Sequence, residues 1–126
     1  MSQFVTILTN IKDIAALRDA STELGFAVDE NADARGIGTQ HHGEFVIRLK
    51  GPCDIAVNRN PDHTYALATD WWGAHVEKEV GPNYGRLLQL YAVHKATQAA
   101  RQRGLAVQRS AHQSGAIKLT LAGGAL

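Results

Sequence analysis

Residues 44–72, EFVIRLKGPCDIAVNRNPDHTYALATDWW, decide the predicted fold because they contain three strand-like segments in succession. The segments EFVIRLK, DIAVNRN and TYALATDWW are rich in β-branched and aromatic side chains and alternate apolar with polar residues, which favours strands. Residues 60–63 are turn-forming, because Pro61 fixes one backbone dihedral and Asn and Asp can bond their own backbone. We therefore expect a β-meander.

A strand and a helix are predicted to precede the meander. FVTIL at residues 4–8 has a strand pattern, and apolar residues then recur at helical spacing between an N-cap at Asn10 and a C-cap at Gly25. Residues 29–43 are polar and interrupted by glycine, so we expect mainly loop there, with one short strand in GIGTQ.

A second helix and a hairpin are predicted to follow the meander. The helix runs from Pro82 or Asn83 to Arg103 and stops at Gly104, and LAVQRS and AIKLTL then pair around HQSG. The predicted order is β-α-β-β-β-α-β-β in a single domain over residues 1–126. This order is typical of an α+β fold in which an antiparallel sheet carries both helices on one face.

Side-chain alternation assigns residues to the two faces of the predicted sheet. The helix-covered core is expected to include Phe45, Ile47, Leu67, Trp71, Leu87 and Leu90. The opposite face is expected to be open and mixed in charge. Besides Val46 and two alanines, it is expected to carry the following polar or aromatic residues: Arg48, Lys50, Asp54, Asn58, Asp70 and Trp72.

The adjacent tryptophans are the strongest indication of an interaction surface. Because neighbouring strand residues face opposite sides, Trp71 is assigned to the core and Trp72 to the open face. A tryptophan beside Asp70, Arg48 and Lys50 has the composition of an interface hot spot, so these four are the predicted partner-binding residues. The alternative is that Trp72 packs beneath the loop that follows the strand.

A small catalytic or ligand-binding pocket is a second hypothesis. Asp70, Tyr91 and His94 could supply an orienting carboxylate, a polar neighbour and a general base. His94 also shares an apolar helical stripe with Leu87 and Leu90, which is more typical of a core histidine. The histidines and the single cysteine follow no zinc spacing and no nucleotide-binding motif is present, so we predict no metal site and no cofactor.

The uneven charge distribution suggests a third hypothesis. Residues 1–80 hold all twelve acids against seven Lys and Arg, whereas residues 81–126 hold six Lys and Arg and no acid. A cationic third that includes Arg86, Lys95, Arg101 and Arg103 could bind a polyanion. Nucleic acid is nevertheless an unfavoured partner, because the segment lacks interleaved aromatic residues that stack on bases.

Composition predicts a cytoplasmic protein. No apolar run approaches the roughly 20 residues of a membrane span, and the N-terminus MSQFVTILTN lacks the pattern of a secretory signal. The lone Cys53 cannot form an internal disulfide and is expected to be a buried free thiol.

Four segments resemble a known family, the small conserved proteins named for hypothetical chloroplast reading frame thirty-five. They are FVTILTNIKDIAALRDASTELGF, VIRLKG, DWWG, and LYAVHKA with its Tyr and His three apart, in the order of that family. The family is a domain of unknown function whose genes often lie near AAA+ ATPases. The resemblance implies an accessory or adaptor protein that binds a protein partner, with an AAA+ ATPase or a second copy of the chain as candidates. The acid-free C-terminal third and the His41–His42 pair depart from the family pattern, so the partner could differ here.

Overall fold

The computed structural model describes residues 2–123, and its largest element is a five-stranded antiparallel sheet. Its strands are β1 (Val5–Leu8), β2 (Ala27–Arg35), β3 (Gln40–Arg48), β4 (Ile55–Arg59) and β5 (Tyr65–Thr69), in the spatial order β1-β5-β4-β3-β2. The other elements are α1 (Ile14–Glu23), α2 (His75–Val80), α3 (Gly85–Gln102), β6 (Ala106–Ala111) and β7 (Ile117–Ala122). The fold is therefore α+β, as predicted, although the order of elements differs.

The predicted meander is confirmed by the pairing of β3, β4 and β5. Ile47 lies opposite Ile55, and Val57 lies opposite Leu67. Directly opposed residues in antiparallel strands share a face, so these four apolar side chains form one continuous apolar surface.

The two long helices cover this apolar surface. Buried residues of α1 and α3 form one cluster with Ile47, Ile55 and Leu67, and the helices also contact each other. Ile47, Leu67, Leu87 and Leu90 are buried as predicted, whereas Phe45 and Trp71 are only half-buried. Cys53 is a fully buried free thiol, which confirms that expectation.

The first helix begins later than the sequence suggested. Its N-cap is Asp13, whose Oδ1 accepts the Ala16 N–H at 3.0 Å, so the assignment of Asn10 was wrong. Gly25 follows the end of the helix with φ of 89°, a left-handed conformation that glycine adopts without a steric penalty.

The assignment of residues 29–43 to a loop was wrong. These residues form most of a long hairpin, with β2 paired to β3 along its length and the turn at residues 36–39, where the Gly36 N–H donates to the Thr39 carbonyl at 2.9 Å. GIGTQ is thus mainly the turn rather than a strand. Backbone pairing at a sheet edge needs no apolar side chains, so polar composition concealed this strand.

The opposite sheet face is less open than predicted. Val46, Ala56 and Ala68 form a second buried cluster with Ala34 of β2. Phe4 packs on this cluster and its ring stacks on His41 of β3 at 5.1 Å, while His42 bonds Asp33 and Asn31 instead. The hairpin and the N-terminal segment therefore cover part of the predicted open face.

The predicted C-terminal hairpin is confirmed, but it forms a separate two-stranded sheet. β6 and β7 pair with each other and contact α3. Arg109 of β6 forms an ion pair with Glu23 of α1 at 2.6 Å, and the Gln89 side chain donates to the Gly115 carbonyl at 3.0 Å. These contacts attach the hairpin to the helical layer.

The segment between β5 and α3 contains helical turns that the sequence did not predict. A 3-10 turn at Trp72–Ala74, the short helix α2 and a second 3-10 turn at Pro82–Tyr84 precede α3, which itself spans Gly85–Gln102. The observed order is β-α-β-β-β-β-α-α-β-β. No helix of the described residues is long and apolar enough to cross a membrane.

Candidate functional site

Trp72 lies just beyond the end of β5, and its backbone is held by a buried carboxylate. Asp70 is only 1% exposed. Its Oδ1 accepts the Trp72 N–H at 3.0 Å, and its Oδ2 accepts the Ile37 N–H at 2.9 Å. The expectation that Asp70 lies on an open surface was wrong, because its carboxylate is used to join the segment after β5 to the β2–β3 turn.

The two tryptophans have different environments, although not by the predicted sheet alternation. Both follow β5. The Trp71 ring is half-buried and packs edge-on against Tyr84, with 4.8 Å between ring centroids. Trp72 is 56% exposed, and its ring lies 6.4 Å from that of His75. One indole thus supports the core while the other faces solvent, which disfavours packing of Trp72 beneath the following loop.

Gly73 is required between Trp72 and His75. Its φ is 73°, which an L side chain rarely adopts, and a Cβ there would lie 2.9 Å from the His75 ring. A glycine therefore allows the histidine ring to approach the exposed indole.

Glu79 of α2 brings the Lys50–Gly51 turn to the same surface. Its Oε1 accepts the Lys50 N–H at 2.6 Å and its Oε2 accepts the Gly51 N–H at 3.2 Å. A Cβ on Gly51 would lie 3.6 Å from the His75 Cβ. We name Trp72, His75 and Gly51 the Trp72 surface. Only the backbone of Lys50, which was predicted to contact a partner, adjoins this surface, because its Nζ lies beside Gly25, where a Cβ would be 3.8 Å away.

A network of charged side chains around one buried carboxylate supports this turn. We name Asp54, Arg35, Arg48 and Asp29 the Asp54 cluster. Asp54 is fully buried and accepts bonds from Arg35 at 2.8 Å and from Arg48 at 2.9 Å, besides the Leu49 N–H at 3.1 Å. Burial alone raises the pKa of Asp54, but the bonds from both guanidinium groups hold that pKa below its ordinary value.

The Asp54 cluster also fixes the position of the Trp72 surface. Arg35 Nη2 donates to the Gly51 carbonyl at 3.0 Å, and Arg48 forms a second ion pair with Asp29 at 2.7 Å. Arg48, which was predicted to contact a partner, therefore directs its charge to two carboxylates of the chain itself.

The structure gives Asp70, Tyr91 and His94 separate neighbours. The Tyr91 hydroxyl accepts the backbone N–H groups of Lys12 and Asp13 at 3.2 and 3.3 Å, and His94 Nε2 lies 2.8 Å from Glu23 Oε1. Among residues 2–123, no hydrogen bond joins these three side chains to one another. His94 is partly exposed rather than a core residue, and its Nε2 lies within hydrogen-bond distance of Glu23 at the end of α1.

The cations of the C-terminal third are partly engaged within the chain. Arg109 pairs with Glu23, and Arg86 Nη1 donates to the backbone carbonyls of Lys78 and Glu79 at 3.3 and 3.1 Å. The described residues contain no group of three His, Cys, Asp or Glu side chains placed to hold a metal ion. Burial, followed by the charges of Asp70 and Asp54, raises the pKa of the Cys53 thiol and so disfavours the reactive thiolate.

Sequence reasoning missed three contributors to this site. Arg35 lies in the strand that was assigned to a loop, and His75 and Glu79 lie in the unpredicted helix α2. Gly73 was the available signal, because a glycine directly after DWW ends a strand and permits a sharp change of direction.

Comparisons with known proteins place the chain without assigning an activity. A family model described as "Protein of unknown function (DUF1257)" matches residues 20–120. No curated protein and no solved structure matches the chain.

Proposed function

Because this chain belongs to the family of proteins of unknown function (DUF1257), we propose from its geometry that it is a non-catalytic accessory protein that binds a protein partner through the Trp72 surface. The observation that carries the proposal is the 56% exposed indole of Trp72 on a backbone fixed by the buried Asp70. A rigid aromatic side chain contributes contact area at a small entropic cost, and tryptophan is enriched among hot-spot residues.

The surroundings of Trp72 support recognition in two ways. His75 adds a second ring, and Glu79 and Arg35 hold the adjoining Lys50–Gly51 turn by hydrogen bonds. A partner would therefore meet a preorganised surface, which reduces the ordering cost of association.

The resemblance to the hypothetical chloroplast reading frame thirty-five family makes an AAA+ ATPase the first partner to test. A second copy of the chain is the alternative. Sedimentation of the purified protein separates the two, since a homodimer forms without any added protein.

The test compares two exposed apolar side chains. Trp72→Ala should weaken the complex with a purified partner by about 2 kcal/mol or more, the usual size of a hot spot. Leu8→Ala is the matched control, because Leu8 is 78% exposed on β1, away from the Trp72 surface. Equal affinities for wild type and Trp72→Ala, measured by calorimetry, would refute the proposal.

A further inference from the structure

We infer that the cavity beside Trp71 binds a lysine or arginine side chain of a partner protein. The cavity is open to solvent, has a volume of about 300 Å³ and is lined by Trp71, Glu77, Pro82 and Asn83. This inference rests on the proposed function, because it assigns a chemical preference to a partner that binds next to Trp72.

The lining combines groups that attract a cation. An indole attracts a cation electrostatically through its ring, and a carboxylate adds a charge of opposite sign. Neither proline nor asparagine carries a charge that would oppose binding. An aliphatic stem can lie along the ring while its charged end reaches Glu77 or the Asn83 amide oxygen.

Glu77 is available for such a contact. It is exposed, and its carboxylate makes no ion pair with another residue between 2 and 123. Arg86 is engaged by the carbonyl oxygens of Lys78 and Glu79 rather than by Glu77. The acid is thus complementary in charge to a basic side chain supplied from outside.

The cavity is shaped by two residues whose backbone has a conformation that non-glycine residues rarely adopt. Asn83 has φ of 53° and Tyr84 has φ of 63°. Such conformations persist where the surrounding structure enforces them. Here the buried Tyr84 ring packs against Trp71 at 4.8 Å and so supports the indole wall of the cavity.

The test uses the full chain with Trp72→Phe, which leaves Trp71 as its single indole. Four capped tripeptides, each with glycine on both sides of lysine, arginine, norleucine or citrulline, are titrated while the Trp71 indole and Glu77 amide signals are followed by NMR. The two cationic peptides should cause saturable shifts at both positions, and the two neutral peptides should not.

Glu77→Gln should weaken binding of the cationic peptides by about fivefold, the upper range for an exposed charge pair. Glu44→Gln is the matched control, since Glu44 is an exposed acid on β3 and the amide keeps an acceptor for the Arg59 N–H. Equal binding of neutral peptides, no saturable shift, or unchanged affinity in Glu77→Gln would each overturn the inference.

The two proposals fail separately. If the cationic peptides do not bind but Trp72→Ala still weakens a protein complex, the cavity assignment is wrong and the proposed function stands. If the peptides bind as expected but Trp72→Ala changes no protein complex, the preference of the cavity for cationic side chains stands and the proposed function is wrong.

Discussion

The Asp54 cluster and the Trp72 surface adjoin the same turn of the chain, yet they differ in how fully their groups are satisfied. Both Asp54 oxygens accept hydrogen bonds, and Arg35 and Arg48 both donate to this buried carboxylate, although the Arg35 side chain itself is 52% exposed. Trp72 instead presents more than half of its surface to solvent. The difference shows that charged residues near a candidate site can serve as its support, while an aromatic residue with an exposed ring is available for recognition.

The largest expected effect tests the supporting role of the cluster. Asp54→Ala should lower the free energy of unfolding by roughly 3–5 kcal/mol, because two guanidinium groups and two backbone N–H groups lose their acceptor. Urea unfolding measures this loss. Asp33→Ala removes a half-exposed acid of the same hairpin and should cost less than about 1 kcal/mol. If Asp54→Ala also lowered the free energy of unfolding only slightly, the Asp54 cluster would not be a structural support of the Trp72 surface.

The next prediction compares how much the two tryptophans contribute to the free energy of unfolding. Trp71→Ala should lower the free energy of unfolding by about 2–3 kcal/mol, somewhat less than for a fully buried tryptophan, since the ring is half-buried against Tyr84. Trp72→Ala should change it by less than about 0.5 kcal/mol, as expected for an exposed side chain. Thermal unfolding of the isolated variants checks both values. Similar losses would mean that both rings are packed and that the Trp72 surface is not a recognition site.

The smallest expected effect concerns the ion pair between Glu23 and Arg109, which lacks a fully buried member and attaches the β6–β7 hairpin to α1. The Arg109 hydrogen bonds, with a contribution from His94, lower the pKa of Glu23 from its ordinary 4.5 to about 2. A carboxyl group whose pKa is lower in the folded state than in the unfolded state stabilises the fold. This stabilisation is complete above the ordinary pKa and is lost as the pH falls through the lowered pKa. Protection of the β6–β7 amides should therefore decrease between pH 4.5 and about 2.

Hydrogen exchange followed by NMR measures this dependence. Glu23→Gln should remove it over that range, whereas Asp19→Asn should not, because Asp19 is bonded by the Gln98 amide and by no cation among the described residues. An unchanged profile in Glu23→Gln would show that the ion pair does not attach the hairpin.

Local patterns predicted the elements whose side chains carry a strong periodic signal. The β3–β5 meander, α1, α3 and the C-terminal hairpin all follow from apolar spacing and turn residues. The β2 strand did not, because most of its residues are polar and exposed and its pairing with β3 depends on backbone groups. The short helix α2 was missed because six residues are too few for a helical period to be recognised.

The sequence by itself determined the α+β class and the helix-covered apolar face of the meander, but it left open whether Trp72 packs or is exposed. Only the tertiary structure decided that Asp70 and Arg48 bond groups of the chain itself, that His94 pairs with Glu23, and that Gly51 lies beside His75. The physical reason is distance along the chain. Apolar periodicity acts between near neighbours, whereas each of these contacts depends on which distant backbone or charged group the fold brings within hydrogen-bond range.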